Sequence, residues 1–156
     1  MEKQFLEIIR DHQEIVYKVC RVYRDSREDQ EDLFQEIVYQ LWKSYPGFKG
    51  ESKVSSWIYR IALNTAIAVY RKLKISIDYY EEFPEYIHPS NEKEISENEE
   101  RLFWALRKLN DAEKAVISLY LEDFSYEEIA AITGLNESNV GVRLNRIKNK
   151  LREILK

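Results

Sequence analysis

Apolar residues recur along most of this chain at intervals of three and four, the spacing that gathers them on one side of an α-helix rather than on one face of a strand. The first such stretch covers residues 2–24 and turns Phe5, Ile8, Ile9, Val16, Val19 and Val22 or Tyr23 inward. Ser26 then offers an N-cap, with Glu28 and Asp29 in the first turn where the helix dipole favours acids. The helix it opens runs to about Ser44 with Leu33, Phe34, Ile37, Val38 and Leu41 as its core face, and stops before Pro46 and Gly47. After a loop over residues 45–52, a third helix from about Lys53 to Lys74 buries Val54, Ile58, Ile61, Thr65 and Val69.

From Ser76 to Asn98 the periodicity lapses into aromatic and acidic residues broken by Pro84 and Pro89, a composition that resists a regular fold. Helical spacing resumes near Glu99 with Leu102, Phe103, Leu106 and Leu109, and Asn110 caps a helix bearing Ala115, Val116, Leu119 and Tyr120. Ser125 and Glu128 have the spacing of a capping box that opens a short helix through Ile129, Ala130 and Ile132. Gly134 ends it where a left-handed residue costs little, Leu135 packs inward, and Asn136 caps a last helix. That helix carries Val140, Leu144, Ile147, Leu151 and Ile154 or Leu155 on one side and Arg143, Arg146, Lys148, Lys150 and Arg152 around the others. A short helix, a glycine turn and a basic helix with a dry inner face predict a helix-turn-helix whose second helix enters a major groove. The expected fold is therefore all-α: a helical domain over 1–75, a flexible acidic linker over 76–98 and a helix-turn-helix domain over 99–156.

Charge reinforces this division. The net charge of −4 is unpromising for a nucleic-acid binder until it is resolved along the chain. Residues 1–75 carry 13 Lys/Arg against 11 Asp/Glu, residues 76–100 carry 1 against 9, and residues 101–156 carry 10 against 8. The acidity sits in the middle, while Arg60–Ile75 holds four bases and no acid and Glu137–Lys156 holds six bases against two acids. Two basic stripes, one per flank, are the footprint of a chain that touches DNA twice.

With these elements in place, three collinear segments resemble the sigma-70 family of bacterial RNA polymerase sigma factors, in its extracytoplasmic-function (ECF) group. FSYEEIAAITGLNESNVGVRLNRIKNKL, from Phe124 to Leu151, is similar to the promoter-reading domain; DLFQEIVYQLW, from Asp32 to Trp42, to the polymerase-docking helix; and FKGESKVSSWIYRIALNTA, from Phe48 to Ala66, to the strand-opening segment. The resemblance implies a transcription initiation factor that binds RNA polymerase core and directs promoter-specific initiation. Domain 1–75 then corresponds to sigma region 2, serving core binding and the minus-ten element, and domain 99–156 to region 4, serving the minus-thirty-five element.

It also distributes roles over residues whose spacing suits them. Asp32, Gln35 and Glu36 belong to a polar stripe with Tyr39 and would grip the coiled-coil helices of the polymerase clamp. Arg60, Asn64, Ile67 and Arg71 share a face of the third helix, with Lys72 adjoining. There Arg and Lys neutralise phosphates and the Asn64 amide meets the edge of an unstacked base. Trp57 is equally well read as a stacking platform or as core. The glycines and small polar residues of 48–56 suit a pocket for a flipped base. The family commonly has an acid where this chain has Ala68. On the last helix the contacts map to Asn139, Val142, Arg143, Asn145 and Arg146, with Lys148 and Lys150 on the DNA backbone. Gly141 stands where a basic side chain is common, and Val142 offers only an apolar touch, as to a thymine methyl.

Other chemistries are poorly supported. His12 and His88 are isolated, no nucleophile elbow or phosphate loop occurs, and the acids at 28–32 lack the oxygen spacing of a calcium loop. Neither catalysis, a cofactor nor a metal is expected. Cys20, the single cysteine, sits among valines and reads as structural. No apolar run suits a signal sequence or a membrane span, so the expected location is the cytoplasm, without membrane insertion. The partners implied by the family are polymerase core, promoter DNA and an anti-sigma factor, with the free chain a monomer. The linker would thread near the RNA exit channel, either mimicking nucleic acid or acting as a solvated spacer. A dimeric helix-turn-helix repressor using 101–156 alone is the rival reading, and it leaves the first domain without a role.

Overall fold

Every regular element among the described residues is helical, and five of the seven α-helices open on a side chain that accepts from an orphan backbone amide. The structure, a computed structural model, describes residues 2–71 and 96–156, with Val69, Tyr70 and Arg71 by backbone alone. It divides into two units, one built from the first three helices and one from the last four.

In the first unit, α1 (Glu2–Tyr23) departs from helical dihedrals at His12 (φ −121°, ψ 15°), whose Nδ1 donates to the Ile8 carbonyl at 2.9 Å. α2 (Arg27–Ser44) is capped by Ser26, whose Oγ accepts from the Asp29 amide at 3.1 Å. It gives way to a short 3-10 turn, Tyr45–Gly47, with Pro46 near its start. α3 (Val54–Arg71) follows. Each of the three packs on the other two, enclosing Phe5, Val16, Phe34, Ile37, Leu41, Ile58 and Tyr59. Arg24 fastens the end of α1 to α3 by donating to the Ala66 carbonyl at 3.3 Å, while Gln30 donates to the Arg24 carbonyl at 3.0 Å. Cys20 lies in this core, and burial pushes its thiol far up, against the lowering effect of Arg24 and Arg21. It stays protonated and packs as a small apolar group.

Two details depart from expectation. On α3 the buried residues are Ile58, Tyr59, Ala62, Leu63, Thr65 and Ala66, whereas Val54 and Ile61 are half-buried. A helix wedged against two neighbours buries a broader arc than one i, i+4 row, and the arc here runs between the rows that meet α1 and α2. The linker expected over 76–98 falls outside the described residues except for 96–98, and those do not belong to it. Ser96 caps α4 (Glu97–Leu106), its Oγ accepting from the Glu99 amide at 3.2 Å, so the helix begins before Glu99.

In the second unit, α5 (Asp111–Leu121) opens with a full capping box: the Glu113 amide donates to Asn110 Oδ1 at 2.8 Å and the Asn110 amide to Glu113 Oε1 at 3.0 Å. α6 (Tyr126–Thr133) repeats it with Ser125 and Glu128 at 3.1 and 2.9 Å. Gly134, at φ 84°, turns the chain into α7 (Glu137–Ile154), capped by Asn136 at 2.8 Å. The core joins Leu106, Leu109, Val116, Leu119 and Ile129 to Val140, Leu144 and Ile147. Leu135, expected to pack inward, is half-buried at the corner of the turn.

A Cβ at Gly134 would meet nothing within 4 Å, so any cost of substituting it is backbone strain alone. Gly134→Ala should lower the stability of the second unit by about 1–2 kcal/mol, the penalty for an L-residue in the left-handed region. The measurement is the urea midpoint of the full chain at unchanged slope, and an unmoved midpoint would mean that the turn does not need the positive φ.

Candidate nucleic-acid interface

The side of α7 opposite its core is exposed. Val140, Leu144 and Ile147 are at most 1% exposed, while Asn139, Val142, Arg143, Asn145 and Arg146 all lie at the surface. They lie within two helical turns, a length that fits a major groove. The predicted contacts at these five positions are thus brought together.

Lys148 and Lys150, expected on the DNA backbone, each have a partner on α5. Lys148 donates from Nζ to the Tyr120 hydroxyl at 3.0 Å and sits 4.4 Å from the centre of that ring. Lys150 pairs with Glu113 at 3.0 Å. Both cations therefore tie α7 to α5, from flanks of the helix rather than its outer point. Glu113 feels the pair from the other side. Partial burial pushes its carboxyl up, but the Asn110 amide, Lys150 and Arg143 together hold it below the ordinary 4.5. Sequence reasoning missed this double use of Glu113. The Asn110-x-x-Glu113 spacing announces the cap, but nothing local announces a lysine 37 residues later.

In the first unit, α3 exposes Arg60 and Asn64 one turn apart, with Ile67 half-buried and Ala68 exposed beyond them. Arg71 ends α3, where its backbone continues the helix, and Lys72 lies outside the described residues. Trp57 resolves into a partly packed ring. Phe48 stacks on it at 4.7 Å and 27°, and Tyr45 lies at 6.2 Å. Tyr45 in turn reaches Phe5 at 5.4 Å, and Phe5 reaches Trp42 at 5.1 Å. One face of Trp57 is therefore taken by Phe48, and the loop before α3 is held to α1 and α2 by aromatic contacts. Neither Phe48 nor Tyr45 was singled out by spacing, since both fall in an aperiodic loop.

The polar stripe expected on α2 is not presented as a stripe. Asp32 is exposed, but Gln35, Glu36 and Tyr39 are 6%, 3% and 5% exposed. The reason is the position of α2, which buries every residue from Leu33 to Tyr39. Gln40 donates to Glu36 Oε1 at 3.1 Å, the kind of hydrogen bond a buried carboxylate requires.

Because the folded pKa of Glu113 lies below its unfolded value, the carboxylate contributes stability that is complete above that value and lost as pH falls through the folded one. Glu113→Gln should therefore lower stability at neutral pH and flatten its decline below about pH 5. Acid titration of the unfolding midpoint checks this, and parallel curves for both proteins would refute it. Lys150→Met should likewise lower stability, and it should change the salt dependence of DNA binding less than Arg143→Ala does.

Comparison with known proteins adds an independent line. Residues 8–75 match the family model of Sigma-70 region 2, and residues 100–151 that of Sigma-70, region 4. The chain is 31% identical over 145 residues to the RNA polymerase sigma factor SigV of Bacillus subtilis, covering 92% of this chain and 86% of that protein. It is 32% identical over 148 residues to the ECF RNA polymerase sigma-E factor of Haemophilus influenzae, covering 83% and 78%. Among solved structures its fold is similar to that of the sigma factor RpoE of Bartonella quintana, crystallised with the anti-sigma factor NepR, at a TM-score of 0.70 and 21% identity over 99% of this chain and 95% of that one. It is similar also to CnrH, solved with the cytosolic domain of CnrY, at a TM-score of 0.71, 21% identity and coverage of 99% and 89%.

Proposed function

Since the chain belongs to the sigma-70 family, in its extracytoplasmic-function group, we propose that its first domain docks on RNA polymerase core and captures the opened minus-ten strand while its second reads the minus-thirty-five element as duplex. The chain is a promoter-specificity factor: it binds polymerase core and directs initiation through sequence-specific DNA contacts. The observation that carries the duplex-reading role is the two-sidedness of α7, dry on Val140, Leu144 and Ile147 and presenting Arg143, Asn145 and Arg146 outward. Arg146 and Asn145 have the donors and acceptors to read base edges, and Arg143 the charge to hold a phosphate.

On α3, the exposed Arg60 and Asn64 support capture of a single strand, with Arg71 and Lys72 extending the basic character of the chain there. Asp32 is the polymerase contact that α2 offers at its surface; Gln35 and Glu36 act in docking only once uncovered. The chain supplies position and selectivity, and the bond-making belongs to the polymerase, so we assign it no catalytic residue. No helix among the described residues is long and apolar enough to cross a membrane, which agrees with work alongside a cytoplasmic polymerase. The structurally similar RpoE of Bartonella quintana was crystallised with an anti-sigma factor, and we propose that this chain too is held by one.

The test is reconstituted transcription with bacterial core polymerase over a genomic fragment library. Promoter-specific initiation is expected, with the chain alone footprinting DNA weakly because the two basic stripes supply few phosphate contacts. Arg146→Ala should abolish initiation while leaving core binding intact, whereas Asp32→Ala should weaken core binding without moving the unfolding midpoint. A chain that dimerises and footprints a palindrome tightly without polymerase would overturn the proposal in favour of a repressor.

A further inference from the structure

Tyr126 is 42% exposed at the start of α6, and Val142 is 49% exposed on α7. Gly141 connects them. A Cβ on Gly141 would meet the Tyr126 ring at 3.4 Å from Cε2 and 3.9 Å from Cδ2. The ring therefore lies against the α7 backbone, in space that a longer side chain at 141 would claim. Gly141 sits inside a helix, where glycine costs about 1 kcal/mol relative to alanine and no left-handed turn requires it. Its missing side chain instead leaves the ring room against the α7 backbone, and Val142, the next residue along, is exposed as well.

Two exposed apolar side chains thus accompany Asn139, Arg143, Asn145 and Arg146, one of them on α7 itself and the other against the α7 backbone. Exposed apolar groups among cations mark a binding surface more readily than a solvated one. In a major groove the apolar group on a base edge is the 5-methyl of thymine. A phosphate role for the Tyr126 hydroxyl is disfavoured, because Glu127 and Glu128 share its helical turn and repel the DNA backbone.

We infer that Tyr126, seated on Gly141, and Val142 form an apolar reader for thymine methyl groups in the upstream duplex element. This rests on the duplex-reading role of the second domain and names what that role selects. The cationic neighbours supply affinity, and the apolar pair supplies discrimination between thymine and the other bases.

The experiment starts from a promoter recovered by reconstituted transcription with the full chain. Each thymine of its upstream duplex element is replaced in turn by deoxyuridine, which pairs identically and lacks only the methyl. At one or two positions initiation should fall about four-fold, the value of one buried methyl at about 0.8 kcal/mol. In Tyr126→Ala combined with Val142→Ala that response should vanish at those positions, with baseline initiation reduced and other base preferences kept. Both side chains are exposed, so the variant should fold, and its urea midpoint checks that it has. Gly141→Lys, which displaces the ring while adding charge, should also weaken the methyl response. No deoxyuridine effect at any position, or one that persists in the double variant, overturns the inference while leaving promoter-directed initiation standing. Failure of the unaltered chain to initiate on any fragment overturns the function itself.

Discussion

The recognition surface depends on how α7 is held. A helix can offer one side to DNA only if the other is fixed, and here the fixing is burial of Val140, Leu144 and Ile147 against α5 and α6. Three such side chains contribute roughly 1.5–3 kcal/mol each relative to exposure. That scale lies well above the few tenths contributed by any exposed ion pair on the same helix. Apolar contact thus sets the orientation, and the capped turn at Gly134 sets where the helix begins. The polar groups on the outer side can then be chosen for DNA without regard to stability.

The first unit solves a different problem with the same means. Three helices that each touch the other two leave little of the middle one uncovered, and α2 accordingly buries Gln35, Glu36 and Tyr39 together with its apolar residues. Polar groups in such a place require hydrogen bonds from within the unit, as Glu36 receives from Gln40. On the proposed docking role, contact through Gln35 or Glu36 would compete with the packing of α2, whereas Asp32 is exposed and free of that competition. The aromatic contacts from Phe5 through Tyr45 and Trp57 to Phe48 do for the loop before α3 what caps do for the helices. They fix an aperiodic segment by side-chain packing, because it has no backbone ladder of its own.

What could be read from the sequence follows from the range of the forces involved. Caps act over three residues, so Ser26, Asn110, Ser125 and Asn136 were legible, and with them most of the helix boundaries and the helix-turn-helix. The Ser96–Glu99 cap has the same spacing and was obscured by the acidic composition around it. Periodicity gave Val140, Leu144 and Ile147 on the inner face of α7, whereas Leu151, Ile154 and Leu155 at its end are only half-buried. It misplaced the edges of the buried arc on α3, where two neighbours compete for the helix. Burial of Gln35 and Glu36, the stack of Phe48 on Trp57 and the seating of Tyr126 on Gly141 are products of tertiary packing. No local pattern encodes them.

The cations of α7 show how this limits inference from composition. Six bases in the last twenty residues suggest a uniformly DNA-facing helix, yet Lys148 and Lys150 are engaged with Tyr120 and Glu113 on α5. A lysine already paired with a carboxylate must give up that contact to hold a phosphate, so its net gain on binding is smaller than its charge implies. Arg143 and Arg146 are exposed, and Arg143 also lowers the Glu113 carboxyl. Part of the positive charge of α7 is thus engaged in contacts to α5, which leaves the remainder for the proposed reading of DNA. On the proposed reading, discrimination among promoters would then lean on the amide of Asn145, the fork of Arg146 and the exposed Val142 and Tyr126. A promoter preference carried by few charged contacts should survive moderate salt better than overall affinity does, because shape and methyl contacts release no counterions.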